Sequence, residues 1–312
     1  MAQKNHWSDW QPLPGWNPSS DVLRETLDGG QSFRWTPDAG TTANPAREIW
    51  TGTWSTHLVQ VRPQPDGLAW RSPLPAAAPA LHRYLGLDTD WSAHTDALPW
   101  RSDPHLARCL AAFPGLRLLR QPFGETLLGF LCSATKQIVQ IKQMLALLAE
   151  RHGPLVCRAG SPNPAKAAFG DAALQCHQLP TWSHLASIPE KDLRACQLGF
   201  RARYIAETAQ FLAAHPGWLD ETERLPYAAA KTRLIQLPGV GEKVADCVLL
   251  FGAGKLEAFP VDTWMLKSLA RRYGLDGWKP AQVAHFGRTH FGPIAGLAQQ
   301  YLFSWERKFG GR

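Results

Sequence analysis

Between residues 227 and 254 the sequence reads YAAAKTRLIQLPGVGEKVADCVLLFGAG, two stretches of helical periodicity separated by Leu237-Pro238-Gly239-Val240-Gly241. No helix runs through such a segment, so the chain must turn sharply there. Pro238 fixes one backbone dihedral, while Gly239 and Gly241 permit conformations and close approaches that a Cβ would obstruct. The second helix starts at the turn, so its unpaired amides and its positive dipole end face the same way as the N–H groups of the hairpin. Residues 237–241, with Leu237, Gly239, Val240 and Gly241 as their core, are therefore a candidate anion grip. An ordinary helix corner with glycines for packing is the alternative reading.

The rest of the chain divides by its periodicity. Nine of the fourteen tryptophans lie in the first hundred residues, among short alternating runs such as REIWTGTW and THLVQVRP bounded by Gly, Pro and Asp. That pattern predicts strands and turns. From Pro104 onward apolar residues recur at three- and four-residue spacing, as in Leu127, Leu128 and Leu131, then Ile138, Ile141, Leu145 and Leu148. That pattern predicts helices. Between Gly153 and Pro180 the periodicity is broken by Pro and Gly, which reads as a long connection. The expected fold is α+β: a β-rich domain over 1–102 and a helical domain over 103–312, whose first and last parts pack together.

Charge and cysteine usage narrow the classes. The chain carries 33 Lys and Arg against 26 Asp and Glu, a net +7, and residues 231–312 alone hold 12 basic against 6 acidic residues. The basic surplus therefore sits in the same quarter of the chain as the hairpin, which favours a polyanionic partner. The six cysteines contain no C-x-x-C pair, so neither a zinc site nor a disulfide framework is expected. The N-terminus has no apolar core of a signal peptide and no run of eighteen apolar residues occurs, so an intracellular location without membrane contact is expected.

Two residues carry the candidate chemistry. Lys243 lies in the first turn of the second helix, and Asp262 follows nineteen residues later in FPVDTW, just before the periodic stretch WMLKSLARRYG. Phosphate binding explains a lysine there, and helix capping explains an aspartate. Together they allow more. An amine can attack the anomeric carbon of a nucleoside, and a fixed carboxylate can stabilise the positive charge that develops on the sugar or take the proton of the amine. The product is a Schiff base, which acidifies the neighbouring C2′ proton and permits β-elimination of the 3′ phosphate.

LPGVGEKVADC followed by FPVDTW resembles the helix-hairpin-helix (HhH-GPD) superfamily of base-excision DNA glycosylases. GGQSFRW, RLLRQPFGETLLGFLCS, LGFRARYI and AQQYLFS resemble its 8-oxoguanine DNA glycosylase/AP lyase branch, and together these segments run from Gly29 to Ser304. The resemblance implies a TBP-like antiparallel sheet domain packed on the helical HhH-GPD domain, and a substrate of double-stranded DNA containing an oxidised purine. A monomer is expected, with no cofactor other than a monovalent cation that often accompanies the phosphate at the hairpin. Lys243 is implied as the nucleophile and Asp262 as the catalytic carboxylate. Cys247 and Phe303 match the pair that sandwiches the oxidised guanine, Gln299 the residue that bonds its Watson-Crick edge, and Gly30 the glycine whose carbonyl accepts the N7–H of 8-oxoguanine. Normal guanine has no hydrogen at N7 and would present an acceptor to an acceptor.

The resemblance is weakest around the base opposite the lesion. The Asn-rich turn usual after Cys-Ser is Ala134-Thr135-Lys136-Gln137 here, with Thr135 as the candidate wedge. Gln140 stands where an arginine reads the opposite cytosine, Phe200 where a tyrosine is usual, and Trp264 where a histidine follows the catalytic Asp. Arg201 is retained. No C-x6-C-x2-C-x5-C run is present, so an iron-sulfur cluster is not expected. A glycosylase for alkylated purines or another oxidised base is the alternative on the same fold, and a non-catalytic DNA-binding protein the more distant one.

Overall fold

The computed structural model describes residues 7–38, 41–42, 48–74, 77–156 and 177–310. Five strands, β1 (Gln11–Leu13), β2 (Trp35–Pro37), β3 (Trp50–Trp54), β4 (His57–Gln64) and β5 (Gly67–Arg71), form one antiparallel sheet in the order β1-β5-β4-β3-β2. Its register places Trp50 opposite Val61 and Val61 opposite Trp70. Large apolar residues thus stack across strands, the arrangement in which β-branched and aromatic side chains stabilise a pleated surface. Trp35 and Trp54 stack at 5.9 Å, and Trp35 donates its indole N–H to the Tyr84 hydroxyl at 3.2 Å. Tyr84 closes helix α2 (Ala77–Tyr84), so the tryptophan-rich segment joins the sheet to the helices behind it.

Helix α1 (Ser20–Asp28) lies between β1 and β2 in sequence. Ser19 caps it by accepting from the Val22 amide at 3.2 Å, and its inner face buries Val22, Leu23, Thr26 and Leu27. Beyond it the chain passes through Gly29 and then Gly30, whose φ of +102° is one that L side chains rarely adopt.

The remainder is helical: α3 (Trp91–Ala97), α4 (Pro104–Ala112), α5 (Phe123–Leu131), α6 (Ile138–His152), α7 (Trp182–Ser187), α8 (Glu190–Leu193), α9 (Arg201–Ala214), α10 (Trp218–Arg224), α11 (Tyr227–Leu234), α12 (Glu242–Phe251), α13 (Thr263–Tyr273), α14 (Pro280–Phe291) and α15 (Ala295–Phe309). α12 is the central rod, buried without interruption from Val244 to Phe251 and packed on α5 through Phe130 and Phe251, which stack at 5.7 Å. α15 returns to pack on α4, so the first and last parts of the helical region meet as their periodicity implied. Of the long connection expected after Gly153, residues 157–176 lie outside the described residues; its flanks, Leu155 and His177, pair as an antiparallel bridge. Among the described residues no helix is long and apolar enough to cross a membrane.

Candidate active site

The hairpin is built from both sides. Leu237 and Val240 are buried and anchor it, the Val240 amide donates to the Leu237 carbonyl at 3.1 Å, and Gly239 takes φ +77°. A Cβ at Gly239 would lie within 2.7–2.9 Å of the Tyr204 side chain, so no larger residue fits without moving α9. Gly241 begins α12 with no side-chain cap and open space around it, leaving the first-turn amides to face an approaching anion. α11 and α12 are tied behind the hairpin by Asp246, which is 1% exposed. Its carboxylate accepts from the Tyr227 hydroxyl at 2.7 Å and from Lys231 Nζ at 3.0 Å, and Lys231 also meets Glu242 at 2.6 Å. A buried carboxylate satisfied from two sides fixes the angle between the helices that carry the loop.

One pocket gathers residues from five separate parts of the chain. Gly30, Phe130, Lys243, Cys247, Phe251, Pro260, Asp262, Gln299, Gln300 and Phe303 line a cleft of about 340 Å³ including the solvent at its mouth. Lys243 Nζ donates to Ser133 Oγ at 3.1 Å and lies 5.1 Å from the centre of the Phe130 ring. Ser133 in turn donates to the Phe130 carbonyl at 2.7 Å, so its lone pair is aimed at the amine. Asp262 enters the pocket as the N-cap of α13, accepting from the Met265 amide at 2.8 Å. Cap and pocket carboxylate are thus one group.

The far wall has a different character. Gln299 and Phe303 lie one turn apart on α15, and Gln299 is 5% exposed with its Oε1 lacking a hydrogen-bond partner among the described residues. A buried acceptor without a donor is a feature that a ligand N–H would relieve. Cys247, one turn after Lys243, is buried, and burial pushes its thiol up to about 12 against the pull of the neighbouring Lys243 charge. It is a neutral, polarisable surface rather than a thiolate. Gly30 closes the rim from the sheet side, where a Cβ would come to 3.2 Å from Ile138 and 3.5 Å from the Phe303 ring.

The structure thereby brings together all six residues expected for catalysis and the base pocket. The four expected at the opposite base are divided. Thr135 is exposed on the turn before α6 in a left-handed conformation, φ +56°, and Phe200 is half exposed at the start of α9. Gln140 is exposed, with its side-chain oxygen accepting from the Gln137 amide at 3.2 Å as part of the α6 cap. Arg201 is 2% exposed: its guanidinium bonds the Ala134 carbonyl, Thr135 Oγ1 at 3.0 Å and the Leu198 carbonyl at 3.3 Å, and lies over the Phe200 ring. It holds the turn from behind. Ser133 and Phe130, which touch the amine, were not singled out from the sequence; their position directly before the Thr135 turn, in FLCS, was the available signal. Among the described residues no group of three or more His, Cys, Asp or Glu is placed to hold a metal ion.

The chain belongs to the HhH-GPD superfamily of base excision DNA repair proteins, whose family model matches residues 129–289, more than half of it. Residues 17–127 match the family described as 8-oxoguanine DNA glycosylase, N-terminal domain, which places it in the 8-oxoguanine branch. It is 29% identical to the N-glycosylase/DNA lyase OGG1 of Arabidopsis thaliana over 97% of this chain and 82% of that protein. It is 30% identical to a probable N-glycosylase/DNA lyase of Methanothermobacter thermautotrophicus, over 69% of this chain and 71% of the relative. Among solved structures, the 8-oxoguanine glycosylase/lyase of Clostridium acetobutylicum in complex with DNA containing cytosine opposite 8-oxoG superposes with a TM-score of 0.80 at 28% identity, covering 92% of each chain.

Proposed function

We propose that this protein is a bifunctional DNA glycosylase/AP lyase that excises 8-oxoguanine from double-stranded DNA and then nicks the abasic strand. The observation that carries the reading is the pocket in which an amine oriented by Ser133, a capping carboxylate and an unpartnered glutamine acceptor line one cleft. The relatives named as glycosylase/lyases support the same chemistry. They favour it over an alkylpurine glycosylase, for which a nucleophilic lysine at the hairpin is not needed.

In this mechanism the hairpin, residues 237–241, and the first turn of α12 hold a phosphate, and the lesion nucleotide leaves the stack because its C1′ is inaccessible within the duplex. Phe303 and Cys247 take the two faces of the base, Gln299 its Watson-Crick edge and the Gly30 carbonyl its N7–H. The Lys243 amine forms a bond to C1′ as the bond to the base breaks, and the Asp262 carboxylate stabilises the positive charge on the sugar. The departing base anion takes up the proton that the amine loses, and breaking of the C1′–O4′ bond with protonation of O4′ gives the imine. Removal of the C2′ proton then expels the 3′ phosphate. Thr135 and Phe200 are placed at the duplex, with Arg201 supporting them.

A monovalent cation at the hairpin belongs to the same reading. The Leu237 and Pro238 carbonyls, which accept from the Val240 amide and from Thr208 Oγ1, each retain a second lone pair, and Gly241 leaves the approach open. Such an ion would add positive charge beside the phosphate. The site of action is the compartment that holds the DNA.

Borohydride trapping on a duplex with one 8-oxoguanine opposite cytosine tests the reading. The wild type is expected to give a covalent adduct, and Lys243→Gln none while still binding the duplex. An equal yield from the variant removes Lys243 as nucleophile. Release of alkylated bases without any adduct would replace the reading with a water-using alkylpurine enzyme.

A further inference from the structure

The base pocket depends on one loop from the sheet side, residues 29–30, meeting two helices that come from much later in the chain. What holds that loop in place is a set of charges on α1. Asp21, Glu25 and Asp28 are spaced so that they share one face of the helix, opposite the buried Val22, Leu23 and Leu27. Each faces a basic residue of another element: Lys308 of α15 at 2.8 Å from Asp21, Arg307 of α15 at 3.7 Å from Glu25, and Lys142 of α6 at 2.6 Å from Asp28. The outermost pair is solvent-exposed and contributes little. The inner two are partly buried.

Their partners connect to pocket residues. Arg307 sits 6.0 Å from the centre of the Phe303 ring and 3.7 Å from Glu25 Oε1, which has no hydrogen-bond partner among the described residues, so the guanidinium lies between Glu25 and the base-stacking residue. The Glu25 side chain, only 12% exposed, lies beneath the loop: a Cβ at Gly29 would come within 2.5 Å of its Oε1. Lys142 follows Ile138 by one turn on α6, and Ile138 is the side chain nearest to a Cβ placed at Gly30. The same loop is sewn to the helical region by Gln31, fully buried, which donates to the Arg117 carbonyl at 2.9 Å and accepts from the Leu119 amide at 3.0 Å.

We propose that Glu25 and Asp28 are positioning residues for lesion recognition, which set the Gly30 carbonyl and Phe303 in register with the base through Lys142 and Arg307. The inference rests on the functional reading above and adds to it a division of labour. The neighbours of these charges, Gly29, Ile138 and Phe303, belong to the side of the site that reads the base, and among the described residues none of the charges bonds Lys243 or Asp262. Base excision depends on them; nicking of an abasic site, which has no base to read, does not.

The test compares Glu25→Gln and Asp28→Asn with wild type on two duplexes, one containing 8-oxoguanine and one with a preformed abasic site. The expected result is a loss of about tenfold or more in single-turnover excision, the scale on which a small displacement from reacting geometry acts, with abasic nicking within about twofold of wild type. The exchanged pair Asp28→Lys with Lys142→Asp should recover excision relative to Asp28→Lys alone. Equal losses on both duplexes would reduce the charges to a general structural role, and unchanged excision would remove them from recognition; either overturns the proposal. Wild type inactive on 8-oxoguanine would overturn the functional reading and the inference with it, whereas an active wild type with unimpaired variants overturns the inference alone.

Discussion

Gln299→Leu separates what the pocket does for folding from what it does for the base. The glutamine is 5% exposed and its Oε1 has no hydrogen-bond partner among the described residues. An unsatisfied buried acceptor costs about 1–3 kcal/mol. Leucine, of similar size, removes the acceptor and adds apolar contact to a wall already formed by Phe251 and Phe303. The variant should therefore be more stable by about 1 kcal/mol, or about 1.5 °C in Tm for a chain of 312 residues. The same atom is the proposed acceptor for the base edge, so excision should lose about 1–3 kcal/mol of transition-state binding, roughly 5- to 150-fold in kcat/KM. Differential scanning calorimetry and single-turnover excision on the same preparation measure both, with abasic-site nicking as the internal control. A variant that melts lower and excises at the wild-type rate refutes the reasoning on both counts, since the orphaned oxygen would then be neither a burden on the free protein nor a contact of the base.

Gly30→Ala combines an unfavourable φ of +102°, worth about 1–3 kcal/mol of strain, with a methyl 3.2 Å from Ile138. It should depress 8-oxoguanine excision and spare nicking of abasic DNA, and equal activity on both substrates would exclude the Gly30 carbonyl from recognition. Burial raises Cys109, Cys132 and Cys247 to about 12, so in the folded protein all three stay thiols at mildly alkaline pH. By linkage, their contribution to stability is complete below the ordinary thiol value and is lost as pH rises from there toward 12. Iodoacetamide should modify none of the three in the native protein and all of them in urea, read by peptide mass spectrometry; native labelling of Cys247 would contradict its buried, neutral state.

Local pattern carried the sequence reading as far as local physics reaches. Gly239 and Pro238 announce the hairpin because backbone dihedrals are decided residue by residue, and Asp262 announces a cap because its partner is three residues away. The alternating runs before Pro104 announce strands and the helical spacing after it announces helices for the same reason, whereas α1, α2 and α3, set among the strands and just after them, were not announced. What escaped is pairing between distant segments. Arg201 is spelled like a surface arginine and is buried because Ala134 and Thr135, which lie far off in sequence, supply its acceptors. Ser133 finds Lys243 across more than a hundred residues, and the acidic face of α1 finds Lys142 and Arg307 only in the fold. A hydroxyl or a carboxylate has no periodicity that names its partner.

The pocket also has a schedule. Gly30 comes from the beginning of the chain, the amine from beyond its middle, and Gln299 and Phe303 from α15, the last helix described. Chains emerge from the ribosome N-terminus first, so the proposed nucleophile is made before the wall proposed to receive the base. Until α15 docks on α4 and brings Arg307 to Glu25, a nascent chain carries Gly30, Lys243 and Cys247 without the Gln299 and Phe303 wall opposite them. Competence for base removal therefore arrives with the docking of that helix, and a truncation that ends before Phe303 would leave the hairpin and its lysine without a base-excising enzyme.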